Sequence, residues 1–184
     1  MQPDPLNNPY LVVGSMRSGT SAVARVLHEQ LGVTMFMTPP EPDEFNPDGY
    51  YEDLDVSNLN ELAIRTVITP MDFIEKITIY SKEMIRRGKA WGLKDGRIAI
   101  LSPLYYRLFP KAKVIRLCRE PKLVVASMMR KYGWDRKKAE LRIFMDNLFI
   151  DAVWKNNICA SLDMTERRTD SDIKLTILKG TREL

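Results

Sequence analysis

The chain has 184 residues, enough for one domain with a full core, and 45% of them are apolar. No apolar run approaches the ~20 residues of a membrane span, the amino terminus lacks the basic-then-apolar pattern of a secretory leader, and Cys118 and Cys159 stand far apart without metal-ligand spacing. The formal net charge of +4 suits an anionic ligand, but the basic runs (Arg86–Arg87 with Lys89, and Arg136–Lys137–Lys138) are short and lack interleaved aromatics, which speaks against nucleic acid. A cytoplasmic protein with reduced thiols, no metal and no membrane partner is expected; the oligomeric state is left open.

In chain order, Leu11–Val13 is apolar and fits a buried parallel strand. Residues Thr20 to Leu31 carry Val23, Val26, Leu27 and Leu31 at helical spacing, with Gly32 as the stop. The proline-rich stretch 38–50 reads as a functional loop. Helical patterns follow over Val56–Thr66 and Met71–Arg87, then a short strand over Trp91–Lys94 and a helix over Ile98–Phe109. Lys113–Cys118 is a second clear strand, and Pro121 opens a helix to about Lys131. A long helix from about Asp135 to Ser161 is predicted to bury the stripe Leu141, Phe144, Leu148 and Ala152. A loop over Thr165–Asp172 and a last strand over Ile173–Leu178 complete the reading. Strands alternating with helices predict one domain with a central parallel sheet in three α/β/α layers.

Residues 11–21, LVVGSMRSGTS, form a strand, a glycine-bracketed loop and a helix start. Gly14 and Gly19 let backbone N–H groups converge on an anion, and the helix near Thr20 points its positive end there. Ser18, Thr20 and Ser21 add hydroxyl donors, and Arg17 adds a planar fork with a permanent charge. A Walker A loop carries lysine after the second glycine, where this chain has Thr20. The alternative is a glycine-rich turn that binds nothing.

The strand KVIRLC runs into Arg119-Glu120-Pro121, where a P-loop hydrolase often has a magnesium-holding aspartate. Arg119 therefore stands at the carboxyl end of a parallel strand, the edge at which α/β sheets bind ligands. Ser127 follows about two turns into the next helix. Together they suit a second phosphate; separately they read as a surface ion pair and a helix-packing serine.

These stretches resemble one family. GSMRSGTS is similar to the 5′-phosphosulfate loop of sulfotransferases in the form of the tyrosylprotein and bacterial branches, and VIRLCREPKLVVASMMR resembles their 3′-phosphate motif. NPDGYYED and WGLKDGRIAIL resemble two further segments of bacterial members, with Gly96 in place of the usual proline. The resemblance runs over roughly residues 10–135 in family order. It implies a P-loop-like sulfotransferase fold and 3′-phosphoadenosine 5′-phosphosulfate (PAPS) as donor, with no metal. Gly14, Arg17, Ser18, Gly19, Thr20 and Ser21 would hold the 5′-phosphosulfate, and Arg119 with Ser127 the 3′-phosphate; the product would be 3′-phosphoadenosine 5′-phosphate.

The acceptor, a hydroxyl or amine on a small molecule, carbohydrate or peptide, needs a general base. The single histidine, His28, lies inside the first helix and reads as a helix-face residue. The candidates are Glu52, then Glu44, then Glu41; a loop carboxylate in water is the alternative for each. Lys94 and Arg97 are expected to touch the sulfuryl group or an anionic acceptor, or else to pair with Asp95 or the acidic loop. The segment Leu178–Thr181 is faintly similar to a 3′-phosphate contact of cytosolic members, and the region after residue 160 is short for the family. The rivals are a small-molecule kinase and a catalytically degenerate, nucleotide-binding homologue.

Overall fold

The computed structural model describes residues 8–166 and 168–182; residues 1–7, read above as carrying no leader pattern, lie outside them. Four strands form one all-parallel sheet in the order β2-β1-β3-β4. They are β1 (Tyr10–Val13), β2 (Gly92–Lys94), β3 (Lys113–Cys118) and β4 (Ile158–Asp163). Tyr10 pairs in register with Gly92 on one side and Lys113 on the other, so the carboxyl ends of β1, β2 and β3 share one edge.

Alternation along the strands sends successive side chains to opposite faces. Leu11, Val13, Leu93 and Val114 face α2 (Leu54–Ile64), α3 (Pro70–Arg86), α4 (Ser102–Leu108) and the far end of α6 (Arg136–Trp154), meeting Phe73, Ile77, Tyr105 and Trp154. Val12, Ile115, Leu117 and Leu162 face α1 (Thr20–Arg25, continuing as a π-helical turn over Val26–Gln30) and α7 (Asp170–Arg182). Beside them α5 (Pro121–Tyr132) packs on α6 through Val124, Met128, Ala139 and Ile143. The architecture is three-layered α/β/α, as the alternation of elements predicts.

The carboxyl-terminal third departs from the sequence reading. The long helix ends at Trp154, and Ile158–Asp163 is the fourth strand. Residues 173–178 are helix, within α7, rather than strand. Ile173 and Ile177 are both buried one turn apart, and Thr169 with Asp172 closes a reciprocal cap at the helix start. The stripe Leu141, Phe144 and Leu148 is 61%, 62% and 47% exposed; the buried face of α6 is Ala139, Ile143, Asp146, Ile150 and Trp154. Both faces repeat at helical spacing, so periodicity alone does not choose between them.

Gly180 explains the residues Leu178–Thr181 as packing. A Cβ there would stand 1.8 Å from the Cys159 carbonyl oxygen, so only glycine lets α7 lie this close to β4. Gly180→Ala is expected to cost about 1–3 kcal/mol of stability through the forced displacement of α7, read as a lower urea midpoint with an unchanged m-value.

Candidate active site

A glycine-bracketed loop bridges the end of β1 and the start of α1. Gly19 precedes α1 at φ 97°, left-handed backbone that favours glycine, while Arg17 adopts φ 68° despite its side chain. A left-handed non-glycine residue costs on the order of 1–2 kcal/mol and marks a position whose orientation the surroundings impose. Gly14 sits against the β3 backbone at Leu117.

The loop opens onto a cleft of about 480 Å³ at the carboxyl edge of the sheet, lined by Arg17, Gly19, Thr20, Ser21, Glu52, Lys94, Arg97 and Arg119 of the expected residues. Asp43, Asn46, Tyr50, Lys131 and Tyr132 complete its polar and aromatic walls. Five cations thus face two carboxylates, Asp43 and Glu52. Ser18 lies on the reverse of the loop, in a smaller cleft of about 270 Å³ that Arg119 also lines. Ser127 is buried on α5, and its hydroxyl accepts a hydrogen bond from Arg17 Nε at 3.2 Å. Arg119 donates to the Arg17 carbonyl at 3.0 Å, so Arg17, Arg119 and Ser127 are contiguous. Glu41 and Glu44 are exposed and stand outside both clefts.

The segment 46–53 is held from both ends. Asp53 is buried, accepts from the Asp55 and Val56 amides at the start of α2, and accepts from Met37 and Thr38 at 2.6 and 3.1 Å. Asn46 reaches Ser21 Oγ at 3.2 Å. The acidic pair therefore divides: Asp53 caps a helix and ties the loop down, while Glu52 turns into the cleft.

There Glu52 meets Lys94 Nζ at 2.5 Å, and the same ammonium donates to Ser21 Oγ at 3.0 Å and the Tyr50 carbonyl at 3.2 Å. The two side chains are 15% and 4% exposed. Burial pushes the Glu52 carboxyl above its ordinary range, and the Lys94 charge opposes that rise without cancelling it. Arg97 is engaged on two sides, with Asp95 at 3.0 Å and Glu61 at 2.8 Å. His28 bonds the Val33 carbonyl and lies against the Phe36 ring, as the reading of a helix-face residue anticipates.

Sequence reasoning missed Lys131 and Asp146. Lys131 pairs with Asp43 at 3.2 Å, donates to the Tyr50 hydroxyl and stands 5.0 Å from the Phe45 ring centroid, tying loop to α5. The Tyr50 hydroxyl and Lys131 together hold the Asp43 carboxyl below the usual carboxylate range. The available signal was spacing, since Lys131 is one turn beyond Ser127 on the same face of α5. Asp146 is fully buried behind the glycine-bracketed loop, bonded to Arg142 at 2.8 Å, while Arg142 also reaches the Gly96 carbonyl at 2.7 Å. Burial pushes its carboxyl up to about 6 against the pull of Arg142. No sequence signal separates this aspartate from a solvated one.

No protein-family model and no curated protein matches the chain. Among solved structures it is similar to the sulfotransferase domain of the Synechococcus PCC 7002 olefin synthase, with 20% identity over 89% of this chain and 68% of that one, at a TM-score of 0.50. At that identity the likeness concerns the fold: a mixed α/β, sulfotransferase-like architecture around a central parallel sheet. Among the described residues no helix is long and apolar enough to cross a membrane.

Removing one member of a buried ion pair leaves the other charge uncompensated. Lys94→Met is therefore expected to cost about 3 kcal/mol in urea unfolding at pH 7. Adding Glu52→Gln to it should recover much of the loss.

Proposed function

We propose that the chain is a sulfotransferase that moves a sulfuryl group from PAPS to a hydroxyl or amine acceptor. One observation carries the reading. Of the cleft's five cations, Lys94, Arg97 and Lys131 are neutralised by Glu52, by Asp95 with Glu61, and by Asp43, whereas Arg17 and Arg119 form no ion pair among the described residues. Arg17 makes neutral contacts, to Ser127 and to the Phe45 carbonyl at 3.3 Å. Two uncompensated guanidinium groups, one in a phosphate loop and one at the end of the neighbouring strand, call for a ligand with two anionic groups.

The donor set fits PAPS. Arg119 Nε is buried and finds no hydrogen-bond partner among the described residues, so a phosphate oxygen would satisfy a donor that is otherwise orphaned. Gly19, Thr20 and Ser21 would hold the 5′-phosphosulfate at the helix start, with Arg119 and Ser127 at the 3′-phosphate. The acceptor oxygen or nitrogen forms a bond to sulfur as the bond from sulfur to the bridging phosphate oxygen breaks, leaving 3′-phosphoadenosine 5′-phosphate. Arg17 stabilises the charge that develops on the leaving phosphate, an electrostatic role, because a guanidinium does not readily give up its proton. Glu52 takes the acceptor's proton, and Lys94 keeps it oriented between the loop and the cleft. Glu52 is preferred to Glu44 and Glu41 because it alone of the three lines the cleft. A phosphate-transferring kinase reading is less well supported, since β3 runs out into Arg119 rather than a magnesium-binding carboxylate.

Calorimetry should show 3′-phosphoadenosine 5′-phosphate binding at least about tenfold more tightly than ADP, a difference of ~1.4 kcal/mol; equal affinities would remove the case for this donor. A base must be ionised to act, so kcat/KM should fall as pH drops through an apparent value above 4.5, the ordinary glutamate position. Glu52→Gln should abolish that acidic limb and lower kcat by about 10²–10⁴-fold. A variant that keeps both rate and limb would assign the base elsewhere.

A further inference from the structure

Asp146 is a buried acidic group that the proposed chemistry does not use. It stands on the inner face of α6, whose other buried members Ala139, Ile143, Ile150 and Trp154 are apolar. A carboxylate in such surroundings is costly unless it is answered. Arg142, one turn earlier, answers it at 2.8 Å and runs on to the Gly96 carbonyl at 2.7 Å, in the turn that follows Lys94 and precedes Arg97. The Ser15 hydroxyl and the Met16 amide face the same carboxyl from the glycine-bracketed loop and draw its proton affinity down, against the effect of burial. Ser15 Oγ and Asp146 Oδ2 are both buried and neither closes a hydrogen bond among the described residues, so a donor and an acceptor are left to each other. Met16 links the two walls: its side chain packs against the cluster between α5 and α6 and lies over Gly96, where an added Cβ would stand 2.5 Å from Met16 Cγ. One ion pair thus reaches both walls of the large cleft from behind.

Stability does not account for charge at this place. Replacing a buried ion pair by apolar side chains of similar size is often neutral or stabilising, and the surrounding face of α6 is already apolar. What an apolar pair would lose is direction. A carboxylate attracts the donors that face it and so fixes the backbone that carries them. The residue after Met16 is Arg17, held at φ 68° against the preference of a side-chain-bearing residue. We propose that Asp146 is a positioning residue of the cleft: it holds the backbone at Ser15 and Met16 so that Arg17 keeps its left-handed conformation, and through Arg142 it sets the turn at Gly96 in fixed relation to that loop. Asp146 touches no ligand in this role; it acts through Met16 and Gly96. That the loop so aligned receives PAPS rests on the reading given under the proposed function, whereas the alignment itself does not.

Amide hydrogen exchange resolved by residue, together with calorimetry on 3′-phosphoadenosine 5′-phosphate, tests the role in the Arg142→Met, Asp146→Leu double variant. The reporter is the Ser18 amide, which donates to the Ser15 carbonyl at 3.1 Å, a bond that includes neither replaced side chain. The expected result is exchange at Ser18 at least about tenfold faster than in the unaltered chain, while the amides of β1 and β3 exchange no faster than before. Affinity for 3′-phosphoadenosine 5′-phosphate should fall by at least about tenfold. If the double variant does not fold, Asp146→Asn, which keeps the shape and removes the charge, carries the same two readouts. Unchanged exchange at Ser18 overturns the proposal, as does acceleration shared equally by the sheet, which would mark packing alone. Faster exchange with unchanged affinity, in a chain that prefers 3′-phosphoadenosine 5′-phosphate to ADP, overturns the role at the cleft. An unaltered chain that binds both nucleotides equally, while Ser18 still responds to the double variant, removes the case for the donor and supports the alignment.

Discussion

The parallel register of β1 with both its neighbours is the constraint on which the site rests. Because Tyr10 stands level with Gly92 and with Lys113, three strands end together at one edge. The glycine-bracketed loop leaves β1 there, Lys94 is the last residue of β2, and Arg119 is the first residue beyond β3. Groups separated by about a hundred positions in the chain are brought to one edge by the pairing of the strands. A slip of one residue in either pairing would turn these side chains to the opposite layer.

Around that edge the protein distinguishes charges it has already neutralised from charges it has left over. Lys94, Arg97 and Lys131 are each answered by a carboxylate and act as struts: Lys94 joins β2 to α1 and to the loop, Arg97 joins the turn after β2 to α2, and Lys131 joins α5 to the loop. Arg17 and Arg119 rest on neutral oxygens. Partly buried guanidinium groups without a counter-ion are costly, and the arrangement is balanced when an anion supplies the missing charge. The left-handed backbone at Arg17 belongs to the same economy of strain, since it aims the side chain into the cleft at the expense of local conformational energy.

The loop over residues 38–53 shows how one segment carries two duties. Asp53 collects amide donors from both the loop and the first turn of α2, which fixes the backbone on either side of Glu52. Glu52 is then held against Lys94 in the cleft wall, where burial raises its proton affinity. Neighbouring carboxylates thereby acquire different chemistry from burial and partners alone.

The sequence by itself determined the glycine-bracketed turn between β1 and α1, β3 with the arginine that follows it, the loop that faces them and the three-layer parallel architecture. These signals are local: glycine spacing, short apolar runs and prolines at helix starts act within a few residues. Tertiary structure alone decided the identities of β4 and α7, because Ile173 and Thr176 suit a strand as well as a helix until β4 is in place to accept Ile173 and Ile177. It also decided which face of α6 is buried, since two apolar stripes of equal period compete and the one carrying Ala139, Ile143, Ile150 and Trp154 packs against α5 and the core beneath the sheet. The division of the cleft's cations into spent and free was likewise invisible in the chain, because an ion pair between distant residues exists only once the sheet has set their separation.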